Sequence, residues 1–329
     1  MKTLSFVAAI TLASAAQAAE PPVLTVYTYD SFVSDWGPGP MVEQAFEATC
    51  GCDLQFVGAG DGAELLARLR LEGARTKADV VLGLDSNQIA DASDTGLFAP
   101  HGVDTGGFTN DIGWQDTTFL PFDWGYFAFV YDKGRVATPP TSFEALIASD
   151  LKIIIEDPRS STPGLGLLLW VKAVYGDDAG AAWERLMPHV VTVTKGWSEA
   201  YGLFLDGEAD MVLSYTTSPL YHLIAEGDDS KGAALFSDGQ YMQIEVAAKV
   251  AATDQADLAD QFMAFIVSDA FQEVIPTTNW MYPAFLPREK WPDAFRAAPT
   301  PEKALSFAAG EARDIRKAAI EEWLAASTN

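Results

Sequence analysis

Residues 53–82, DLQFVGAGDGAELLARLRLEGARTKADVVL, contain one complete strand–helix–strand unit. The short apolar runs at 53–57 and 78–82 are typical of buried strands. Between them, leucines that recur at the spacing of one helix face predict a helix over 63–73. Strands that alternate with helices form parallel sheets joined by right-handed crossovers, so this unit indicates an α/β fold.

The same alternation continues on both sides of this unit and starts again in the second half of the chain. The β-branched and aromatic run at 23–29 predicts a strand, and a long aromatic-rich stretch at 121–131 precedes the second series. The other expected strands are 152–156, 190–194, 210–215 and 243–250. The other expected helices are 41–49, 88–95, 164–175, 179–186, 199–206, 219–226, 256–267 and 269–275, with a helical tail within 302–326.

Two extended stretches, 121–131 and 240–250, each leave one α/β unit and can enter the other. Two such linkers make a hinge, and 329 residues is an ordinary length for two domains. We therefore predict a two-lobed α/β protein with mostly parallel sheets and a cleft between the lobes, where ligands of such sheets bind. Lobe 1 is expected to contain residues 19–122 and 240–275, and lobe 2 residues 123–239 and 276–329.

The N-terminus has the three parts of a secretory signal peptide. Lys2 supplies the positive charge, residues 4–13 the apolar region, and Ala16-Gln17-Ala18 the small residues of a cleavage site. The apolar region is shorter than the ~20 residues that span a membrane, which disfavours an anchor. We expect residues 1–18 to be removed near Ala18 and the mature chain to be periplasmic.

The composition excludes several classes of partner. Asp and Glu number 46 against 21 Lys and Arg, a formal net charge of −25. Such a charge repels nucleic acids and anionic lipid and favours a small cationic ligand. Two Cys and three scattered His are too few for a zinc or iron–sulfur centre, so neither a metal nor a cofactor is expected. The protein is expected to be a monomer.

The loops after the predicted strands are rich in aromatic, hydroxyl and acidic residues and poor in pairs of a base and a nucleophile. This composition is typical of a binding site rather than a catalytic one. The loops in question are 30–36, 58–62, 83–87, 157–166, 195–198 and 216–219.

Seven strings in and around the predicted strand ends have a distinctive sequence. They are TVYTYDSF (25–32), DWGPGP (35–40), KADVVLGLD (77–85), STPGLGLLLW (161–170), TVTKGWSEAY (192–201), LSYTTSP (213–219) and NWMYP (279–283). Together they resemble the periplasmic thiamine-binding proteins of the thiamine ABC transporter, and the resemblance spans nearly the whole mature chain up to about Pro287. It implies the type II periplasmic binding-protein fold, capture of thiamine, thiamine monophosphate and thiamine diphosphate between the lobes, and delivery to an inner-membrane ABC permease.

The resemblance also implies a set of ligand-binding residues and no catalytic ones. Aromatic faces suit the thiazolium and aminopyrimidine rings of thiamine, since a cation over a ring gains roughly 0.5 to 2 kcal/mol. A carboxylate can offset the thiazolium charge, and helix starts that carry hydroxyl groups suit a phosphate. The implied residues are Asp61, Gly62, Ser161, Thr162, Trp197, Tyr215, Thr216, Thr217, Ser218, Tyr221 and Trp280, with Tyr29 and Trp36.

Other interpretations fit parts of the same sequence. A polyamine or quaternary amine would also use aromatic rings and carboxylates, but it would give the hydroxyl-bearing helix starts no role. Thiaminase I, a thiamine-degrading enzyme, resembles the same fold and uses a Cys nucleophile, whereas Cys50 and Cys52 are expected at a sheet edge away from the cleft. These two Cys can form a disulfide or remain free thiols.

Purely structural roles are the alternative for several polar and aromatic residues. Asp61, Ser161 and the hydroxyl residues at 216–218 are also ordinary helix caps. Trp170 and Trp183 lie on apolar helix faces and are expected in the core. Asp123 and Asp132 are interpreted as solvated charges beside the first linker.

Overall fold

The computed structural model describes residues 20–328. It contains the strand–helix–strand unit that the sequence predicts. The predicted signal peptide at 1–18 lies outside these residues. Strand β1 (Val23–Thr28) lies between β2 (Asp53–Gly58) and β3 (Val80–Asp85) and pairs in parallel with both. Helices α1 (Gly39–Cys50) and α2 (Gly62–Glu72) form the crossovers between these strands.

Two long strands join this first sheet to a second one. Strand β5 (Phe119–Asp132) and strand β10 (Gln240–Val250) are the extended stretches that the sequence predicts near 121–131 and 243–250. The first part of β5 pairs antiparallel with β10, which pairs antiparallel with β3 on its other side. From Phe127 onward, β5 pairs instead with strands of the second sheet. One continuous strand therefore belongs to both sheets.

The second sheet repeats the α/β pattern of the first. Its strands β6 (Ile153–Glu156), β7 (Val190–Thr194) and β8 (Met211–Tyr215) are parallel, with β6 in the middle. Helices α5 (Thr162–Tyr175), α6 (Ala179–Leu186) and α7 (Trp197–Leu205) connect them. The helix expected at 219–226 is shorter than predicted, because α8 (Ser218–Tyr221) continues as a π-helical turn over His222–Glu226.

The remaining elements are short, apart from the last helix. The helical tail predicted within 302–326 is one long helix, α13 (Ala309–Ser327), and the expected 269–275 helix is split in two. The other helices are α3 (Ile89–Ser93), α4 (Phe143–Ile147), α9 (Ala256–Ile266), α10 (Asp269–Gln272), α11 (Ile275–Thr278) and α12 (Asp293–Ala297). The other strands are β4 (Phe98–Ala99), β9 (Lys231–Ala234), β11 (Tyr282–Pro283) and β12 (Ala304–Leu305).

Each sheet has its own hydrophobic core. In the first core, Leu24 and Phe122 pack with Phe262 of α9 and with Ile275 and Met281. The lobe boundaries at 122/123, 239/240 and 275/276 stay a prediction.

The second core surrounds α5 and α6 and includes α13. Trp170 and Trp183 are fully buried there, as predicted, and Trp323 of α13 packs in the same core. Among residues 20–328, no helix is both long and apolar enough to cross a membrane.

Cys50 and Cys52 form a disulfide, which is one of the two states that the sequence allows. Their Cα atoms are 5.2 Å apart, and Gly51 between them has φ of 64°, a left-handed conformation that favours glycine. The bridge lies where α1 ends and β2 begins, at the outer edge of the first sheet.

Candidate functional site

A cavity of about 700 Å³ lies at the carboxyl ends of strands from both sheets. The first sheet contributes the loops after β1 and β2, and the second contributes the starts of α5, α7 and α8. The loop after α11 forms a further part of the wall. Nine of the predicted residues line this cavity: Tyr29, Trp36, Asp61, Thr162, Trp197, Tyr215, Ser218, Tyr221 and Trp280.

Aromatic rings form two groups on the cavity wall. Trp197 stacks on Tyr201 with 5.2 Å between ring centroids, and its ring lies 6.4 Å from Trp36 of the opposite sheet. The indole N–H of Trp197 donates to Ser214 Oγ at 2.8 Å, which fixes the orientation of the ring. Tyr221 and Trp280 meet edge to face at 5.2 Å. Flat ligand rings can therefore contact aromatic faces on more than one side.

Asp61 is a helix cap that also borders the cavity. It is the N-cap of α2, where its Oδ1 accepts from the Gly62 N–H at 2.8 Å, and it also lines the cavity. Burial raises the pKa of the Asp61 carboxyl, while polar groups of Gly62, Ser161 and the Thr162 and Trp197 backbone oppose that rise. The Asp61 carboxyl group, in the loop after β2, thus faces the starts of α5 and α7, which follow strands of the second sheet.

Gly62 allows these helix starts to approach closely. An added Cβ at Gly62 would lie 2.3 Å from Thr162 Oγ1 and 3.0 Å from the Gly83 carbonyl oxygen. The start of α2, which follows a strand of the first sheet, therefore touches the start of α5, which follows a strand of the second sheet. Gly62 itself does not line the cavity, and its place beside the cavity depends on having no side chain.

The hydroxyl residues at the helix starts divide into two groups. Thr162 and Ser218 line the cavity, and Ser218 Oγ accepts from the Tyr215 N–H at 3.2 Å. Ser161 is fully buried and caps α5, its Oγ accepting from the Gly164 N–H at 3.4 Å. Thr216 and Thr217 are buried behind the wall and do not line the cavity. Contact of these three residues with a ligand stays a prediction.

Sequence reasoning missed the acidic residues at the bottom of the cavity. Glu245 of β10 lines it, and Glu245 Oε2 accepts from the Tyr29 hydroxyl at 2.8 Å. Asp123 of β5 is fully buried beside Glu245, so its interpretation as a solvated charge is wrong. Asn279 Nδ2 donates to Asp123 Oδ2 at 2.6 Å. The signal in the sequence that could have identified Glu245 and Asp123 is a charged residue within an otherwise apolar strand. Asp132, in contrast, is half-buried and pairs with Lys231.

The surroundings of the cavity are strongly acidic. Burial raises the pKa of Asp85 to about 6, and it also raises the pKa values of Asp123, Glu156 and Glu245. Within residues 20–328, Lys195 is the one lysine or arginine on the cavity wall, and its Nζ lies 2.9 Å from Glu64. The site therefore favours a cation.

His222, Glu226 and Asp228 bring potential metal-ligating atoms together near the cavity. Both ring nitrogens of His222 already have partners, since Nδ1 pairs with Glu226 at 2.7 Å and Nε2 with the Tyr201 hydroxyl at 3.0 Å. The contacts give His222 a structural role, which is to hold Tyr201 against Trp197.

Comparison with known proteins agrees with this geometry. Residues 39–273 match the family model of the bacterial extracellular solute-binding proteins. The chain is 56% identical over 304 residues, 92% of each chain, to the thiamine-binding periplasmic protein of Escherichia coli strain K12. The chain belongs to the periplasmic thiamine-binding protein family.

Solved structures confirm the fold of this family member. A periplasmic thiamin binding protein aligns with a TM-score of 0.92 at 55% identity, covering 94% of this chain and 97% of that one. Iron-bound HitA from Pseudomonas aeruginosa aligns with a TM-score of 0.73 at 19% identity, covering 91% of this chain and 99% of that one, and shows the fold alone. The predicted type II periplasmic binding-protein fold is therefore confirmed, whereas the ligand contacts of individual residues stay a prediction.

Proposed function

We propose that this protein is a periplasmic receptor that binds thiamine and its phosphate esters and delivers them to an inner-membrane ABC permease. The observation that carries the proposal is the cavity itself, which has aromatic walls and buried carboxylates at its base. Thiamine matches both features, because it joins two flat rings and a permanent positive charge. The family relationship supports the same ligand.

The aromatic groups are the proposed contacts of the two rings. Trp197 with Tyr201 and Tyr221 with Trp280 present ring faces to the cavity from separate directions. Several such contacts, each worth roughly 0.5 to 2 kcal/mol, together with buried apolar area can supply the ~8 to 12 kcal/mol of micromolar to nanomolar binding. No nucleophile is needed for this role.

The phosphate of an ester is proposed to bind at the starts of α5 and α7. These helices are 14 and 9 residues long, and their first turns border the cavity at Thr162, Gly196 and Trp197. Free backbone N–H groups at a helix start attract anions. Asp61 faces the same helix starts, so a phosphate has to share their donors with its carboxyl group. The ranking of the esters depends on this competition.

A calorimetric titration tests the proposed ligand and the proposed lack of chemistry together. The purified mature protein is titrated with thiamine, thiamine monophosphate, thiamine diphosphate and spermidine, and the recovered ligand is analysed for products. Tight binding of intact thiamine compounds supports a receptor, and tighter binding of the monophosphate supports the helix-start placement. Binding of spermidine alone would instead indicate a polyamine receptor.

Cleavage of the recovered thiamine would indicate an enzyme related to thiaminase I. The structure disfavours this second candidate, because Cys50 and Cys52 are joined to each other and neither lines the cavity. A thiol nucleophile would have to be free and within reach of the bound ligand.

A further inference from the structure

Three buried carboxylates form a row across the sheet at the bottom of the cavity. Glu245 of β10 is paired in register with Asp85 of β3 on one side and with Asp123 of β5 on the other. Side chains of paired residues share one face of a sheet, with Cβ atoms about 4.5 to 5.5 Å apart. We call these three residues the carboxylate row. Its central member, Glu245, lines the cavity.

Neutral hydrogen-bond donors pair with only some of the oxygen atoms in the carboxylate row. Glu245 accepts from the Tyr29 hydroxyl at 2.8 Å and from Gln243 Nε2 at 3.2 Å, and Asp123 accepts from Asn279. Among the described residues, Asp123 Oδ1 and Asp85 Oδ2 have no hydrogen-bond partner. Buried carboxylate oxygens without a donor are costly when charged, so the row favours either a proton or an external cation.

The groups that face Glu245 from the neighbouring elements are acidic or neutral. They are Tyr29 after β1, Asp61 at the start of α2, Asp85 of β3, Asp123 of β5 and Tyr215 of β8. The guanidinium of Arg316 acts on Asp85, at the far end of the row from Asp123. Burial is the main cause that raises the pKa values of Glu245 and Asp123, and their mutual repulsion adds to the rise for Glu245. When no cation is bound, the raised pKa values therefore favour a proton on one of the two carboxyl groups.

We propose that the carboxylate row is a cation-exchange site, in which the positive charge of the bound ligand replaces a proton carried by Glu245 or Asp123. The inference rests on the proposed function, because thiamine supplies the permanent positive charge. On binding, the O–H bond of one carboxylic acid breaks, the proton passes to the solvent, and the carboxylate remains as the counter-ion of the thiazolium ring. The affinity for thiamine therefore rises with pH, whereas a neutral analogue gains nothing from this exchange.

The test counts protons during binding. Thiamine is titrated into the full mature protein at pH 7 in Pipes and in Tris, two phosphate-free buffers with different ionisation enthalpies, so that the difference in measured heat gives the number of protons released. We expect a release of roughly 0.5 to 1 proton per thiamine bound. Deazathiamine, in which a neutral thiophene ring replaces the thiazolium, keeps the aminopyrimidine and is expected to bind without release.

Two variants of the row give opposite expectations, which separates proton exchange from a purely structural role. Glu245→Gln removes the carboxylate that borders the cavity, so thiamine binding weakens and proton release disappears. Asp123→Asn removes the repulsion that raises the pKa of Glu245, so thiamine binds more tightly than to the wild type at pH 5 to 6, with less proton release. Glu208→Gln, which changes an exposed carboxyl group in the turn between α7 and β8, is the control that keeps the wild-type count.

The outcomes distinguish this inference from the proposed function. Tight thiamine binding with equal heats in both buffers overturns proton exchange and leaves the thiamine receptor standing. A folded wild-type protein that does not bind thiamine overturns both. If Glu245→Gln loses stability, the wild-type proton count with thiamine against deazathiamine still decides the question.

Discussion

Trp280 has a backbone conformation that its side chain disfavours. Among the described residues, it is the only one other than glycine with a positive φ, 58°. A left-handed residue with a side chain costs about 1 to 2 kcal/mol, and such strain is kept where the surroundings require a particular placement. At this position the strain directs the indole ring toward Tyr221 in the cavity wall.

Replacing Trp280 by Ala and by Gly separates the effect of the ring on thiamine affinity from the effect of backbone strain on stability. Both variants lose the ring, so both are expected to bind thiamine more weakly by roughly 1 to 3 kcal/mol in a calorimetric titration. Trp280→Gly is expected to be more stable than Trp280→Ala by about 1 kcal/mol in urea unfolding, because glycine tolerates this φ. Wild-type affinity in both variants would remove Trp280 from the site, and equal stabilities would contradict the strain.

Single residues also show where prediction from sequence fails. The loops around the site could be predicted because they follow strands, and strand ends meet at one edge of a sheet, whereas the individual aromatic and hydroxyl residues were implied by the family resemblance. Asp123 and Glu245 lie inside strands instead, where the sequence shows only a charge within an apolar run. Whether such a charge is solvated or buried depends on the strands beside it, and those neighbours are distant in sequence.

At the scale of elements, the contact between the starts of α2 and α5 connects the two sheets beside the cavity. Gly62→Ala would place a Cβ between Thr162 Oγ1 and the Gly83 carbonyl oxygen. We expect the helix starts to separate at a cost of roughly 1 to 3 kcal/mol, seen as weaker thiamine binding by calorimetry.

Gly310→Ala is the matched control for this substitution. An added Cβ at Gly310, in the first turn of α13, meets no atom within 4 Å, so thiamine affinity should not change. An unchanged thiamine affinity in Gly62→Ala as well would show that the close contact of α2 and α5 does not matter for binding.

The elements themselves follow from the sequence where the hydrophobic period is long. The strands β1, β6, β7 and β8 and the helices α5 and α6 lie within a few residues of their predicted bounds. Prediction fails for two-residue strands such as β11 and β12, because pairing with a distant strand, rather than local preference, makes them extended. The π-helical turn after α8 has no signal in the hydrophobic period.

At the scale of the whole molecule, the buried carboxyl groups determine how stability depends on pH. Burial raises the pKa values of Asp85, Asp123, Glu156 and Glu245 above the values near 4 of unfolded chains. Between about pH 4 and these raised values, the folded protein holds more protons than the unfolded chain does. The free energy of unfolding therefore decreases as the pH rises through this window.

We expect the ligand-free protein to melt at a lower temperature at pH 8 than at pH 5, measured by circular dichroism. Asp123→Asn should reduce this difference, because it removes one of the buried groups that titrate. Glu208→Gln also replaces a carboxyl group by an amide, but at an exposed position, so it should keep the wild-type dependence. A melting temperature that rises from pH 5 to pH 8 would contradict the role of the buried carboxyl groups.

The first core has a consequence for the order in which the chain can fold. Leu24, near the start of the described chain, packs in the same core as Phe262, Ile275 and Met281, and β10 completes the sheet beside β3. A chain that emerges from a translocation channel with its N-terminus first cannot close this core until about residue 281 has emerged. Contacts of such long sequence separation form slowly. The first sheet therefore stays incomplete until this closing segment has left the channel.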